Sequence, residues 1–284
     1  MARSVLGNAK VYQIEGDFFT KFKLEADEVI DSGMCGDIVL AIPLEKPEVR
    51  RVVKKFTLLD EDSNVTNKET FETEVKFMQT CDHPYITKCL VAGVCKDYLA
   101  ICMYYYPRGT LDNYVGNLSL DLSELCVIQV ACALRYLHEN NLVHMDVKLD
   151  NVFLDADFNA VLGDFGLAVE LQPQQKTVQR SMCGGTPCYY PPERKAATDN
   201  KQLDPYKMDA YCLGVVLWAL LMERDPDDGI DYFFEARRKQ RLPTHLRELL
   251  LKLLDKSPSR RITVADFLKR LRRDSVHRRI IDRY

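Results

Sequence analysis

The spacing of apolar positions changes part-way along the chain. From Phe22 onward, short apolar runs separated by polar turns predict strands, and one stretch with helical spacing, Asn67–Cys81, interrupts them. From Thr110 the spacing becomes helical, most clearly over Leu122–Glu139 and in the apolar run Ala210–Met222. The pattern therefore predicts an α+β protein with a smaller β-rich part followed by a larger, mostly helical part.

A boundary between these parts is predicted where the last strand gives way to Pro107 and Gly109. The chain then divides into an N-terminal extension (1–21), a first lobe (22–106), a second lobe (107–275) and a basic C-terminal tail (276–284). The extension carries no recognisable motif, and we expect it to lie on the first lobe.

Composition and charge argue against several classes of partner. The net charge of −3 over 284 residues gives no reason to expect nucleic acid or an anionic membrane. We expect no membrane span, because the longest apolar run falls short of the ~20 residues that cross a bilayer. The ten cysteines form no C-x-x-C pair, which favours a reducing compartment, cytoplasm or nucleus. Cys126, Cys132 and Cys212 are predicted to be buried, whereas Cys35 is either an oxidisable thiol or an inert packed one.

Residues able to support chemistry concentrate in the stretch 144–166. Asp146 and Asn151 flank a loop that leads into the apolar run Val152–Leu154, and Asp164 ends the next predicted strand. A hairpin between the two strands would bring these three side chains together at one end of the hairpin. Mg²⁺ prefers such oxygen ligands together with phosphates, and a further carboxylate can accept the proton of an attacking hydroxyl. The alternative is a turn rich in Asp and Asn that has no chemical role.

The sequences H-M-D-V-K-L-D-N at 144–151 and D-F-G at 164–166 resemble the catalytic loop and the metal-binding motif of eukaryotic-type protein kinases. A lysine two positions after the aspartate is the Ser/Thr pattern of that family. The resemblance implies a bilobal fold that transfers the γ-phosphoryl group of ATP to protein Ser or Thr hydroxyls. It assigns Asp146 the role of the base, Lys148 a place beside the transferred phosphate, and Asn151 and Asp164 the role of Mg²⁺ ligands.

The stretch V-I-D-S-G-M-C-G-D-I-V at 29–39 resembles the glycine-rich loop of the same family, whose backbone N–H groups cover the phosphates. Gly33 and Gly36 are present, whereas Asp31 stands in the place of the first glycine. An acid close to phosphate is expected to weaken ATP binding. By itself the motif is weak, because any hairpin turn can contain two glycines.

The stretch R-V-V-K at 51–54 resembles the strand that carries the phosphate-binding lysine, which would be Lys54. Lys55 is the rival, but strand alternation turns it to the opposite face. By resemblance Glu74, in the predicted helix, would pair with Lys54. The alternative for Glu74 is an ordinary exposed charge on a helix.

The resemblance also implies a nucleotide site lined from both lobes. Met103 would guard its back, and the backbone of residues 104–106 would bind the adenine. The residues expected to contact ATP are Ile30, Gly33, Gly36, Ile38, Val52, Lys54, Met103, Tyr104, Tyr106, Asn151, Phe153 and Asp164.

The sequence G-T-P-C-Y-Y-P-P-E at 185–193 resembles the segment that holds the peptide substrate in Ser/Thr kinases. Thr186 would hydrogen-bond near Asp146 and Lys148, and Glu193 would pair with Arg261. The resemblance thus implies a catalytic set made of the following residues: Lys54, Glu74, Asp146, Lys148 and Thr186.

Met145 stands where many kinases have an arginine that binds a phosphorylated residue of the activation loop. Methionine cannot make that contact, so we predict that phosphorylation of Thr177 or Ser181 is not required for activity. Basal activity, or control by a regulatory protein, is expected instead.

Two other interpretations remain open at this stage. A pseudokinase would keep the fold as a scaffold that binds nucleotide and partner proteins without turnover. A phosphotransferase acting on small molecules would be expected to lack the segment with Thr186 and Glu193. The region 223–240 is shorter than expected for this family, which suggests a divergent or viral lineage within it.

Overall fold

The computed structural model describes residues 10–33, 36–58, 61–239, 242–273 and 278–284, so Cys35 lies outside the described residues. The chain divides into two compact units. The first runs up to Asp82 and also contains Ile86–Tyr106 and Asp164–Gly166. The second contains His83–Tyr85, Pro107–Gly163 and Leu167–Tyr284.

The first unit is built around a mixed sheet. In chain order its elements are β1 (Tyr12–Gln13), α1 (Phe18–Lys21), β2 (Leu24–Gly33), β3 (Gly36–Pro43), β4 (Arg51–Thr57), α2 (Glu61–Thr80), β5 (Cys89–Val94) and β6 (Tyr98–Tyr104). The strands lie in the order β1-β5-β6-β4-β3-β2. Neighbours are antiparallel except β1, which runs parallel to β5.

Strand β4 shows why this sheet is covered on both faces. Phe56 packs edge-on against Phe71 of α2, with ring centroids 5.7 Å apart. Val53, on the other face, is fully buried in a cluster with Phe18 from the N-terminal segment. Successive side chains of a strand point to opposite faces. Lys54 therefore lies on the face that carries α2.

Helix α2 begins at Glu61, six residues before the predicted start at Asn67, and ends at Thr80, one residue before the predicted end. The missed turn reads E-D-S-N-V-T and contains one apolar residue, so it has no hydrophobic period to detect. The rest of the helix was predicted from apolar residues that are now seen to be buried, among them Phe71, Val75 and Met78.

The second unit is mostly helical. Its elements are α3 (Leu120–Glu139), β7 (Leu142–Val143), β8 (Val152–Leu154), β9 (Ala160–Leu162), β10 (Val169–Glu170), β11 (Val178–Gln179), α4 (Pro192–Lys195), β12 (Gln202–Leu203), α5 (Pro205–Met222), α6 (Tyr232–Arg238), α7 (Thr244–Leu253), α8 (Val264–Leu271) and α9 (Arg278–Arg283). Within the described ranges, no helix is both long enough and apolar enough to cross a bilayer.

Helix α5 forms the core of the second unit. Asp204 caps it by accepting a hydrogen bond from the Lys207 N–H at 3.1 Å, and Pro205 occupies its first turn. A Cβ added at Gly214 would lie 2.9 Å from Leu253 Cβ, so the glycine allows α7 to pack closely. The predicted apolar helix is confirmed, with its start at Pro205, four residues before the expected start at Asp209.

The hairpin predicted after Asn151 is present. Strands β8 and β9 are antiparallel, with Val152 opposite Leu162. Gln129 of α3 holds the far end, because it donates to Asn159 Oδ1 at 2.8 Å and accepts from the Ala160 N–H at 2.7 Å. Two polar contacts from one buried amide thus fix the hairpin against the longest helix of this unit.

The three cysteines predicted to be buried are so: Cys126 and Cys132 in α3 and Cys212 in α5. Burial raises the pKa of the Cys126 thiol to about 12 and that of the Cys132 thiol to about 11. Both side chains are therefore protonated, weakly nucleophilic packing residues at neutral pH.

The described part of the C-terminal tail packs within the second unit. Arg135 of α3 donates to the Ile281 carbonyl at 3.3 Å. The ring of Tyr284 meets those of His83 and Tyr85 at centroid distances of 5.4 and 5.3 Å. The tail is thus anchored by aromatic contacts as well as by its helix.

Candidate active site

Lys54, Glu74 and Asp164 form a charge cluster inside the first unit. The Lys54 ammonium lies 2.8 Å from Glu74 Oε2 and 3.1 Å from Asp164 Oδ1. Glu74 is 2% exposed and so is not the ordinary surface charge of the alternative interpretation. Lys55 lies on the opposite face with its ammonium 4.5 Å from the centre of the Tyr98 ring. Alternation therefore selected the lysine that meets the two carboxylates.

The cluster has unusual electrostatics because it is buried. Burial disfavours the charged form of Lys54, but Glu74 and Asp164 outweigh that effect and raise the pKa of the ammonium. Burial raises the pKa of the Glu74 carboxyl to about 7; the Lys54 charge opposes this shift and the Asp164 charge adds to it. The lysine therefore stays positively charged, whereas Glu74 titrates close to neutral pH.

The glycine that ends β2 and the glycine that begins β3 are not equivalent. Gly36 has φ +140° and an added Cβ would lie 2.4 Å from the Lys55 carbonyl oxygen, so the hairpin itself requires glycine there. An added Cβ at Gly33 would meet nothing within 4 Å. Packing in this hairpin therefore does not require glycine at position 33.

Acidic side chains lie near these glycines on the same two strands. The Asp31 carboxylate accepts the Ser32 N–H at 2.8 Å, and Ser32 Oγ donates to Asp37 Oδ1 at 2.8 Å. Asp37 was not considered in the sequence prediction, although it directly follows Gly36. Two carboxylates, rather than that of Asp31 alone, therefore lie near the end of this hairpin.

The other residues expected to contact nucleotide in the first unit lie on one sheet, except Tyr106, which follows β6. Val52 and Met103 are opposite each other in register and are buried. Tyr104 is 43% exposed, with the Arg51 guanidinium 5.1 Å from its ring centre. Tyr106 donates from its hydroxyl to Thr87 Oγ1 at 3.2 Å. The remaining members are the half-buried Ile38 and the exposed Ile30.

In the second unit the Asp146 carboxylate is held at both oxygens. Its Oδ1 accepts from the Thr186 N–H at 2.9 Å and from the Thr186 hydroxyl at 3.0 Å. Its Oδ2 lies 3.2 Å from the Lys148 ammonium and 3.2 Å from Asn151 Nδ2. Lys148 also donates to Thr186 Oγ1 at 3.0 Å. Four predicted residues thus meet in one network, while Phe153 lies half-buried on β8.

Asp209 of α5 holds the loop that carries Asp146. Its two carboxylate oxygens accept the N–H groups of His144 and Met145, each at 2.9 Å, and His138 Nε2 lies 2.9 Å from Oδ2. Met145 has φ +70°, a left-handed conformation that side chains rarely adopt. The hydrogen bond to its N–H helps hold this strained backbone.

Comparison with known proteins decides the family. The model of the protein kinase domain family matches residues 24–271. The chain belongs to the protein kinase domain family. Similar proteins include NUAK family SNF1-like kinase 1 of Mus musculus, which is 29% identical over 256 residues that cover 87% of this chain and 38% of that protein.

Two other relatives of this kinase domain match a smaller share of the chain. A serine/threonine-protein kinase of Schizosaccharomyces pombe is 36% identical over 152 residues, 52% of this chain and 22% of that protein. The Aurora kinase of Debaryomyces hansenii is 28% identical over 231 residues, 77% of this chain and 53% of that protein. The chain thus spans about half or less of the length of these relatives. The predicted kinase fold, a β-rich N-terminal part and a helical C-terminal part, is confirmed.

In this kinase domain a buried arginine supports the segment that leads into Thr186. Arg194 donates to the carbonyl oxygens of residues 183 and 184 at 2.5 and 2.7 Å. Its guanidinium lies 3.4 Å from the centre of the Tyr190 ring, and the Tyr190 hydroxyl donates to the Gly185 carbonyl at 2.6 Å. Burial lowers the pKa of Arg194. Sequence reasoning missed this residue because both of its hydrogen-bond acceptors are backbone atoms.

The predicted pair of Glu193 and Arg261 is present. The contact is bidentate, with Nη1 2.7 Å from Oε1 and Nη2 2.8 Å from Oε2. Arg261 is 1% exposed and also donates to the carbonyl oxygens of Lys207 at 2.7 Å and Asp255 at 3.0 Å. These four hydrogen bonds satisfy a guanidinium that would otherwise be costly to bury.

Asp164 in the first unit and Asn151 in the second each have the donor chemistry that suits a magnesium ion. The Asp164 side chain is 41% exposed even though it is bound to Lys54. Asn151 donates from Nδ2 to the Asp146 backbone oxygen at 2.8 Å, so its amide oxygen is the atom suited to a cation. A carboxylate and an amide oxygen are the ligand types that Mg²⁺ takes in proteins.

Proposed function

We propose that this kinase domain is an active serine/threonine protein kinase that transfers the γ-phosphoryl group of ATP to hydroxyl groups of protein substrates. The observation that carries the proposal is the network around Asp146, in which Thr186, Lys148 and Asn151 fix both carboxylate oxygens. A base held in this way needs no reorganisation when the hydroxyl arrives.

Each residue of that network has a defined task in the proposed reaction. Asp146 orients the substrate hydroxyl and accepts its proton. Lys148, beside the same carboxylate, supplies positive charge near the transferred phosphate. Thr186 ties the substrate-binding segment to the base, so the hydroxyl and the base are positioned by one set of contacts.

The charged cluster of the first unit is proposed to hold ATP. Lys54 keeps its positive charge because Glu74 and Asp164 lie beside it, and this charge would bind the α- and β-phosphates. Asn151 and Asp164 would hold Mg²⁺, which neutralises negative charge on the phosphates when bound. Glu74 orients the ammonium from the buried face of α2.

An ATP-consumption assay with generic Ser/Thr substrates tests this proposal. Wild type should turn over ATP in the presence of Mg²⁺, and Asp146→Asn, which keeps the shape of the side chain, should lose activity by at least 100-fold, on the order expected for general-base loss. Asp164→Ala should abolish the Mg²⁺-dependent transfer. Equal rates for wild type and Asp146→Asn would instead support the pseudokinase interpretation.

We further propose that activity does not depend on phosphorylation of the activation segment. Met145 is 3% exposed and packs in an apolar cluster with Leu171, Val178 and Leu203. Apolar contacts thus occupy the position where an arginine would bind phosphate. The same segment is held by pairing of β11 with β12, and Arg180 pairs with Asp199 at 2.8 Å.

The exposed hydroxyls of Thr177 and Ser181 provide the test. Thr177→Ala and Ser181→Ala should keep activity within tenfold of wild type, because the segment is ordered by contacts that need no phosphate. Phosphatase treatment of wild type should have the same small effect. A larger loss in protein that circular dichroism finds folded would refute the proposal.

A further inference from the structure

The N-terminal segment, defined as residues 10–22, is tied to the helix that carries Glu74. The Lys10 N–H donates to Gln79 Oε1 at 2.6 Å, and Gln79 Nε2 donates back to the Lys10 carbonyl at 2.9 Å. One side-chain amide therefore binds both backbone groups of a single residue, as a neighbouring strand would. Gln79 lies in the last turn of α2, five residues after Glu74.

The other end of the segment is anchored firmly in the sheet. Tyr12 and Gln13 pair with β5, and the Ile14 N–H donates to the Val94 carbonyl at 2.9 Å. Phe18 is fully buried. The segment thus connects the C-terminal end of α2 to a fixed part of the sheet.

A polar contact reinforces this anchor. The Tyr98 hydroxyl accepts the Phe18 N–H at 3.0 Å and donates to Asp17 Oδ1 at 2.7 Å. Asp17 also caps α1, since its Oδ2 accepts the Thr20 N–H at 3.0 Å. The side chain of Tyr98 in β6 and that of Asp17 in the segment itself therefore hold the segment around Phe18.

Other polar contacts join the described residues of helix α2 to the sheet. Asn67 donates to the Thr57 carbonyl at 2.7 Å near one end, and Glu74 meets Lys54 in the middle. At the other end Gln79 binds the backbone of Lys10, and its Nε2 also donates to Cys89 Sγ of β5 at 3.5 Å. Loss of an end tie lets a helix rock about the contacts that remain.

We propose that Gln79 is a positioning residue, and that the N-terminal segment holds α2 in the orientation in which Glu74 reaches Lys54. The link acts through the backbone of Lys10, so the identity of that side chain does not matter. The inference rests on the proposed function only for its effect on activity. The effect of the link on local opening of α2 can be measured without any turnover.

Amide hydrogen exchange of residues 71–79 is the primary test, with Gln79→Met and Lys10→Pro as the variants. Gln79→Met keeps the shape of the side chain and removes both hydrogen bonds with Lys10, together with the weaker one to Cys89 Sγ. Lys10→Pro removes the backbone donor from the other side. Each should speed exchange of α2 by roughly fivefold to thirtyfold, the effect of losing one or two exposed hydrogen bonds. The double variant should be no faster than Gln79→Met, because both changes break the same link.

Two matched controls separate this link from general destabilisation. Lys10→Ala keeps the backbone groups, and Glu72→Ala changes an exposed residue of the same helix. Both should exchange like wild type. Equal effects of Lys10→Ala and Lys10→Pro, or unchanged exchange in Gln79→Met, would overturn the inference.

The activity measurement then asks whether the link matters for catalysis. Gln79→Met should lower kcat/KM for ATP by roughly threefold or more, while Lys10→Ala and Glu72→Ala should not. Faster exchange in α2 with unaltered kcat/KM would refute the positioning role. An inactive wild type would contradict the proposed function, whereas the exchange result would still decide whether the link exists.

Discussion

Replacement of Arg261 by methionine should destabilise the second unit strongly. Methionine has a similar length but leaves the Glu193 carboxylate, whose side chain is only 15% exposed, without its bidentate partner. It also leaves the Lys207 and Asp255 carbonyl oxygens without the donors that now reach them. Removal of one member of a buried ion pair costs about 3–5 kcal/mol.

The size of the effect allows a direct measurement. For a domain of this size about 1 kcal/mol shifts Tm by roughly 2–4 °C, so Arg261→Met should lower Tm by roughly 6–20 °C. Urea unfolding followed by circular dichroism should give the corresponding free energy with an unchanged m-value. Arg261→Lys should lose less, because it keeps the charge but not the planar fork.

A double-mutant cycle isolates the pair itself. Glu193→Gln combined with Arg261→Met should be less destabilising than the sum of the single changes, since the second substitution removes the unpaired charge left by the first. A loss below about 1 kcal/mol for Arg261→Met, or strict additivity in the cycle, would refute the view that this ion pair supports the segment that carries Glu193.

Three further predictions follow from the charged groups. Because the pKa of Glu74 is about 7 in the fold against 4.5 for the free side chain, the folded state binds the proton more tightly. The stability from this group is present below pH 4.5 and is lost as the pH rises through 7, by up to about 3 kcal/mol. Glu74→Gln should remove this pH dependence from the unfolding free energy measured by urea titration. Identical pH profiles for wild type and Glu74→Gln would contradict the prediction. Arg194→Leu should raise KM for a peptide at least fivefold with KM for ATP unchanged, and Arg194→Lys should restore part of it; a parallel rise in both constants would point to general misfolding instead. Asp31→Gly should lower KM for ATP several-fold in steady-state assays, and an unchanged KM would show that this acid does not oppose nucleotide.

Much of the candidate site could be predicted because it depends on local rules. Strand alternation chose Lys54 over Lys55, and helical spacing placed Glu74 on a helix. The apolar runs around a short polar turn predicted the hairpin of β8 and β9. Each of these features is encoded within about a dozen residues, so it is visible without knowledge of the fold.

Other residues could not be found because their partners are distant in sequence and are backbone atoms. Gln79 binds the backbone of Lys10, 69 positions earlier, and Arg194 binds carbonyl oxygens, which leave no signature in side-chain identity. Asp209 did leave one signal, since it is an acid at the head of the most apolar helix. An acid buried there must have hydrogen-bond donors, and they are the N–H groups of the loop before Asp146.

The most direct test of the proposed function is phosphorylation in vitro followed by mass-spectrometric mapping of the modified sites. The purified protein, ATP and Mg²⁺ are incubated with a degenerate peptide library, with Asp146→Asn as the control. We expect phosphate on Ser and Thr hydroxyls only in the wild-type reaction. Modification of Tyr alone, or no difference between wild type and Asp146→Asn, would contradict a serine/threonine kinase that uses Asp146 as its base.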